Sequence, residues 1–248
     1  MSIQEISKLA NEFAEDNRFL EMLSRDSREG VRKLYRQIMT KREKDQLELL
    51  RLTEMTKLER DLWCSGMTLV AGVDEVGRGP LAGPVVAGAV ILPPGCRIVG
   101  LNDSKKLSEK TREMLFEEIA RVAVAWSIGM ASPAEIDQVN ILQATYIAMQ
   151  RALTSLPQLP QYLLVDAVTI PAITIPQSGI IGGDGLSLSI AAASVMAKVT
   201  RDRLMTTQDQ LYPGYCFAKH KGYGTQEHYE AIRRCGLSPI HRRSFCHF

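Results

Sequence analysis

Several absences bound what this chain can be. It has no excess of one charge: 30 basic residues face 28 acidic ones, a formal net charge of +2. Any contact with nucleic acid must therefore rest on local patches rather than on wholesale basicity. No apolar run reaches the ~18 residues that a membrane-spanning helix requires. The opening MSIQEISKLANEF lacks the basic and apolar blocks of a secretory leader, so the cytoplasm is the expected compartment. The five cysteines (Cys64, Cys96, Cys216, Cys235, Cys246) are odd in number and form no C-x-x-C pair, so no disulfide framework is expected. All four histidines (His220, His228, His241, His247) fall near three of those cysteines. Their spacings, Cys216-x3-His220, His228-x6-Cys235 and Cys246-His247, match no common zinc pattern. Inert thiols and surface imidazoles are the expectation.

What is present divides by charge. Residues 1–64 carry 13 basic and 13 acidic residues, 65–197 carry 8 and 11, and 198–248 carry 9 and 4. The first part has no proline and a single glycine, Gly30. Apolar residues recur there at helical spacing (Val31, Leu34, Tyr35, Ile38, then Leu47, Leu50, Leu58, Leu62). Asp26-x-x-Glu29 and Thr56-x-x-Glu59 read as capping boxes. These features predict a helical extension over 1–67, either a packed hairpin or an accessory substrate-binding element. From Thr68, LVAGVDEV and PVVAGAVIL read as two strands joined by a Gly/Pro loop. A helix capped by Ser108 runs to about Arg121, VAVAWSIGMA is a third strand, and Ser132-Pro133-Ala134-Glu135 opens a helix reaching about Leu153. YLLVDA and a segment near Gly179–Ile181 complete the strands, and SIAAASVMAKVTRDRLM is a long helix with a small-residue face. Antiparallel strands followed by β-α alternation imply an α/β mixed sheet with helices on it. The expected divisions are 1–67, a catalytic domain over 68–208 and a substrate-binding subdomain over 209–248.

The chemistry centres on acids. Asp74-Glu75 ends an apolar strand, where ionised carboxylates are costly unless a positive group compensates them. Arg78 is the only nearby cation, and its offset directs it into the loop. Asp166 ends YLLVD and Asp184 follows a Gly-Gly turn. Four carboxylates from strand ends and adjoining loops could converge at one sheet edge and bind Mg2+ or Mn2+, hard oxygen-seeking ions. A pair of such ions would clamp the attacking and leaving oxygens of a phosphoryl displacement. Asp103 and Asp202, flanked by basic residues, read as structural ion-pairing groups. Gly77-Arg78-Gly79 differs from a dinucleotide loop because its third glycine comes late and a strand follows. Its glycines can bring backbone close to a ligand. Ser104, Lys105 and Lys106 could contact phosphate, and Tyr223 between two glycines offers an aromatic face.

VDEVGRGPLAGPVVAGAVIL, NDSKKLSEKTRE, LLVDA, GDGLSLSIAAASVMAKVTRDR and FAKHKGYGTQEH with HRRSF follow one another in this order. Together they resemble bacterial ribonuclease HII, a type 2 RNase H, over roughly residues 68–248. The N-terminal segment resembles the helical extension of Gram-positive members. The resemblance implies an RNase H-like five-stranded mixed sheet with flanking helices and a helical C-terminal subdomain. It implies endonucleolytic cleavage of RNA in RNA/DNA hybrids and at single ribonucleotides in duplex DNA, leaving 3′-hydroxyl and 5′-phosphate ends. It casts Asp74, Glu75, Asp166 and Asp184 as catalytic acids holding two Mg2+ or Mn2+ ions. Gly77, Arg78 and Gly79 would sense the 2′-hydroxyl through backbone, Tyr223 would recognise the RNA–DNA junction, and Ser104 and Lys105 would contact phosphate. No membrane contact or obligatory protein partner is implied, and a monomer is expected. One position departs from the family: Gly182-Gly183-Asp184 stands where the family carries Lys-Gly-Asp. Two rivals remain, a hybrid-binding protein on the same fold, against which the full acid set argues, and a resolvase, which does not explain the glycine loop with Tyr223.

Overall fold

Nearly continuous apolar runs in VAGVDEV and VVAGAVI let these central strands bury both faces. The computed structural model describes residues 3–13 and 16–246; the Cys246-His247 pair therefore lies partly outside the described residues. The helices are α1 (Ile3–Glu12), α2 (Asn17–Arg25), α3 (Glu29–Met55), α4 (Lys57–Cys64), α5 (Glu109–Val122), α6 (Pro133–Thr154), α7 (Leu188–Leu211), α8 (Phe217–His220) and α9 (Gln226–Cys235). The strands are β1 (Val70–Val76), β2 (Val85–Ile91), β3 (Ala125–Ala131), β4 (Tyr162–Asp166) and β5 (Gln177–Ile180). Two compact units result, Met1–Thr53 and Glu54–Phe248. α4, grouped by sequence with the extension, thus belongs to the larger unit, and so do residues 209–248.

In the smaller unit, Ile6, Leu20, Leu23, Val31 and Ile38 form a core with Phe19, Leu34 and Tyr35 packed against it. The helical stripe read from the sequence supplies half of it, whereas Leu47 and Leu50 are exposed. Asp26 does not open a capping box. Its carboxylate accepts from the Arg28 amide and pairs with the Arg28 guanidinium, because it closes α2 and α3 begins only at Glu29.

In the larger unit the sheet order is β3-β2-β1-β4-β5. β1, β2 and β3 pair antiparallel, while β1–β4 and β4–β5 are parallel. This is the expected mixed five-stranded sheet. Ala71, Val73, Ala87 and Val165 share a core with Ala144, Ala148 and Met149 of α6. Residues on the opposite face meet α7. There the helix sits directly on the strand: a methyl group at Gly72 would fall 2.0 Å from the Ser189 carbonyl carbon. Ser108 and Ser132 cap α5 and α6 as their sequences predict, Ser132 with a complete capping box. α6 is kinked at Asn140, which adopts φ 70° and accepts from the amides of Leu142 and Gln143, so it recaps the second half.

Thr56-x-x-Glu59 is not a capping box either. Thr56 makes no side-chain cap bond, and Glu59 turns into the core. Its Oε1 accepts from Ser187 Oγ (2.5 Å), Ser189 Oγ (2.6 Å) and Ser189 N (2.9 Å) at the start of α7. Leu58, Leu62 and Trp63 pack beside it on Val70, Leu164 and Ile190. A three-residue Thr/Glu spacing fits both a cap and this longer reach, and only the tertiary partner distinguishes them.

Candidate active site

The sheet brings the acids together through register. Val73 of β1 pairs with Val165 of β4, so Asp74 and Asp166 are the next residues along adjacent parallel strands. Asp166 pairs with Ile180 of β5, and its Oδ1 accepts from the Gly183 amide at 2.7 Å, fixing the 3-10 turn that carries Asp184. Asp74 lies on the α7 face, 4 % exposed, and its Oδ1 accepts from the Glu75 amide at 2.7 Å.

These carboxyls oppose one another. Burial, then the charges of Glu75 and Asp166, push Asp74 well above the usual carboxylate range, against the stabilising hydrogen bond from Ser194. Burial also raises Glu75, with Asp166 adding to the shift and Arg78 opposing it. Burial, then Asp103, raises Asp184, with Lys105 opposing. A cluster of oxygen donors that suppress one another's ionisation has the chemistry to take a hard divalent cation. The side chains are not pre-set around an ion: among the described residues no group of three or more His, Cys, Asp or Glu stands ready to hold one. The backbone gathers the acids, and the carboxyl rotamers remain to be drawn in.

The cations around the cluster differ from the sequence reading. Arg78 does not turn away into the loop: its Nη1 lies 3.3 Å from Glu75 Oε1. Lys105 Nζ stands 3.7 Å from Asp184 Oδ2. Its own burial is outweighed by Asp184, Asp103, Asp74 and Asp166, which raise its pKa and keep it charged. Ser104, read from the sequence as a phosphate contact, is buried, and its Oγ lies 2.9 Å from Ser194 Oγ, the hydroxyl that bonds Asp74. Asp202 pairs with Lys198 and Arg112 as expected of a structural ion-pairing group. Asp103 does both jobs, since it caps the Ser104–Lys106 turn and also faces Asp184. Sequence reasoning misses Ser194, the reach of Glu59 to Ser187 and Ser189, and the position of Asp103 beside Asp184. Only the Asp103-Ser104-Lys105 adjacency could have pointed to one of them.

Gly182 adopts φ 67°, ψ 33°, with open space around a Cβ position. Lysine fits that space at a backbone cost of roughly 1–2 kcal/mol. With Lys105 already beside Asp184, a second ammonium would compete with a metal ion. Gly182→Lys is expected to raise the half-saturating Mg2+ or Mn2+ concentration roughly 3–10-fold, equivalent to about 0.7–1.4 kcal/mol. Superimposable metal titrations would show the position to be electrostatically silent.

Gly77 has φ 89°, and a methyl there would fall 2.2 Å from Arg201 Nε. Arg78 and Gly79 are exposed, and the nearest atom to a Cβ built on Gly79 is Tyr223 Cε1, at 3.9 Å. The glycine loop and Tyr223, far apart in sequence, therefore adjoin. The Tyr223 carbonyl accepts from His228 Nδ1 (2.9 Å), which leaves His228 Nε2 to accept from His241 Nε2 (3.0 Å). His241 Nδ1 in turn accepts from the Ser238 amide. Each ring has one donor and one acceptor, consistent with neutral imidazoles. Burial is the main reason that His228 is lowered to about 4. These histidines are thus structural parts of the Tyr223 loop rather than surface groups. The five cysteines are free. No helix among the described residues is long and apolar enough to cross a membrane.

The family model described as Ribonuclease HII matches residues 71–248, and one described as Ribonuclease HII N-terminal domain matches residues 2–63. The chain is 52% identical to "Ribonuclease HII" of Desulfitobacterium hafniense strain Y51 over 245 residues, covering 99% of this chain and 94% of the relative. Its fold resembles the crystal structure of ribonuclease H2 from Pyrococcus horikoshii OT3 (TM-score 0.59, 30% identity, 71% of this chain and 92% of the other). The fold also resembles Bst-RNase HIII in complex with Mn2+ (TM-score 0.52, 17% identity, 68% and 63% coverage).

Proposed function

We propose, since this chain belongs to the ribonuclease HII family and is a ribonuclease acting on RNA/DNA duplexes, that it cuts at single embedded ribonucleotides as well as within longer RNA tracts. The observation carrying the finer reading is the junction of three parts in one place: the acids at the β1–β4 edge, the exposed backbone of Arg78 and Gly79, and the Tyr223 ring. Asp74, Glu75, Asp166 and Asp184 would hold the metal. Two Mg2+ or Mn2+ ions bound there would supply Lewis-acid stabilisation and a nucleophile at neutral pH. Lys105 stands beside Asp184 and can hold a phosphate oxygen. The Arg78 and Gly79 amides can donate to a ribose hydroxyl, and Tyr223 can pack on the neighbouring sugar. A site built to hydrogen-bond a hydroxyl rejects the analogue lacking it, because its own polar groups are then left unpaired.

Incubation of a duplex containing one ribonucleotide, with and without Mg2+ or Mn2+, tests this reading. Cleavage on the 5′ or 3′ side of that residue leaving 3′-hydroxyl and 5′-phosphate ends is expected, with all-DNA duplex inert. Tyr223→Ala is expected to slow the single-ribonucleotide substrate at least about tenfold more than a long hybrid, where neighbouring 2′-hydroxyls offer other registers. Equal losses on the two substrates would remove Tyr223 from junction recognition.

A further inference from the structure

Arg201 and Arg242 have no part in the acid site, yet both are fully buried. The hydrogen bonds of both guanidinium groups all run to main-chain carbonyls, and among the described residues neither forms a salt bridge. Arg242 donates from Nη2 to Gly77 O (2.5 Å), from Nη1 to Arg78 O (2.8 Å) and from Nε to Gly83 O (2.9 Å). Arg201 donates from Nε to Pro84 O (3.0 Å), from Nη2 to Ala82 O (3.1 Å) and from Nη1 to Lys221 O (2.9 Å). Removing two guanidiniums from water without a carboxylate partner is expensive. Burial depresses both, and the repulsion from Arg201 helps bring Arg242 to about 9. In α7, Arg201 occupies the row Ala193, Ala197, Arg201, Met205, whose other members are buried apolar side chains. An apolar residue would continue that row at no such cost, so a purely structural account does not explain the charge.

The loop from Gly77 to Pro84 explains it. Its backbone pairing is confined to Leu81–Gly83, where Ala82 bridges His241, and five of its carbonyls, those of Gly77 and Arg78 among them, are held from behind by these two forks. In a trans peptide the C=O and N–H groups point opposite ways, and no cis peptide occurs in the described chain. With the Gly77 and Arg78 carbonyls drawn onto Arg242, the N–H groups of Arg78 and Gly79 must face the other way. Both residues are exposed there, beside Glu75 and Tyr223. We infer that Arg201 and Arg242 are positioning residues that clamp the loop from inside, so that the Arg78 and Gly79 amides form a fixed pair of outward donors for an oxygen of the substrate's sugar-phosphate. This inference rests on the ribonuclease reading above. Preorganised donors need no rearrangement as the reaction proceeds, and two successive backbone amides backed by positive charge make an anion-binding concavity. The clamp depends on the planar fork: lysine keeps the charge but can satisfy only part of a three-carbonyl set.

The test uses the full chain with Arg242→Lys and Arg201→Lys, with Arg242→Gln as the substitute where lysine prevents folding. Ile119→Ala, a core truncation in α5, is the control for general loss of stability. Single-turnover cleavage and affinity are measured on a duplex with one ribonucleotide at saturating metal. Amide hydrogen exchange is followed at Leu81 and Gly83, whose N–H groups bond to Gly222 O and Ile240 O. The arginine variants are expected to slow cleavage at saturating substrate at least about 10²-fold, as small misplacements of reacting groups do. Duplex affinity should change less than tenfold, and Leu81 and Gly83 should exchange faster while the α6 amides stay protected. The inference is overturned if the arginine variants lose no more activity than Ile119→Ala at matched thermal stability, or if the loop amides keep their protection. If the parent protein cuts no ribonucleotide-containing duplex, the ribonuclease reading fails, while the exchange data still decide whether the arginines hold the loop.

Discussion

In chelator at neutral pH, Asp74→Asn is expected to melt higher than the parent protein, while in Mg2+ or Mn2+ it cleaves at least about 10²-fold more slowly. The stability half follows from the sign of the shift. Asp74 is protonated more readily in the folded chain than in the unfolded one, because burial and the Glu75 and Asp166 charges disfavour its ionised form. The stability contributed by this proton is fully present below the ordinary aspartate pKa of about 3.9 and is lost as pH rises through the raised value. At pH 7–8 this carboxyl is therefore a liability that the neutral amide removes. Asparagine Oδ1 can still accept from the Glu75 amide, so little packing is lost. For a chain of this size each 1 kcal/mol recovered moves the melting temperature by about 2–4 °C. The advantage should shrink on acidification as Asp74 itself becomes neutral. Metal should reverse the order, since an ion that binds only the folded parent stabilises it, whereas the variant has lost a ligand. The activity half needs only about 3 kcal/mol of lost transition-state stabilisation. Melting curves in chelator from pH 5 to 8 decide it: a variant that melts lower than the parent throughout would show that the acids are not under electrostatic strain.

A chain beginning at Glu54 is expected to fold and melt close to the full protein, whereas one beginning at Thr68 should lose several kcal/mol and most of its activity. The difference is α4. Without it, Val70, Leu164 and Ile190 lose the cover of Leu58, Leu62 and Trp63. Burying a large apolar side chain is worth about 1.5–3 kcal/mol when complete, and these are partly exposed, so each contributes less. Loss of Glu59 also strips the acceptor from Ser187 Oγ, Ser189 Oγ and the Ser189 amide. Each buried donor left unpaired costs about 1–3 kcal/mol. Against a typical total of about 5–15 kcal/mol this is a large fraction. Activity suffers in turn because Ser187 lies two residues beyond the Gly183–Gly185 turn that carries Asp184. Circular dichroism melts and single-turnover cleavage of the two truncations separate the cases. Equal stability would reduce α4 to an appendage.

The parts legible in the sequence were those where residue type conflicts with local pattern. Asp74-Glu75 stands out because charge ends an apolar strand, and Ser132 stands out because a cap, a proline and a glutamate coincide. Short apolar, β-branched runs broken by Gly and Pro, and their order among the helices, likewise delivered the mixed sheet and the β1–β2 loop. Where one pattern has two physical meanings, the sequence misled. Glu59 has the spacing of a capping residue but bonds to Ser187 and Ser189, more than a hundred residues away. Ser104 sits between charged neighbours yet faces inward onto Ser194 of α7, a partner ninety residues away. Arg242, in an irregular segment with no period, has a role fixed only by carbonyls it meets in the fold.

The parallel pairing of β1 with β4 also governs when a catalytic site can exist during synthesis. Val70 pairs with Tyr162 and Val73 with Val165, so Asp74 and Asp166 cannot meet until the ribosome has released the chain well past β4. Gly77 waits still longer, because Arg242 is 165 residues downstream. At about 5–20 residues per second this interval lasts roughly 8–33 seconds. Throughout it the β1–β2 hairpin can form by itself from antiparallel neighbours, but it carries only two of the four acids and an unsupported loop. A nascent chain that stalls between β2 and β4 is therefore an inert hairpin, not a partial nuclease, and cutting activity arrives late and all together.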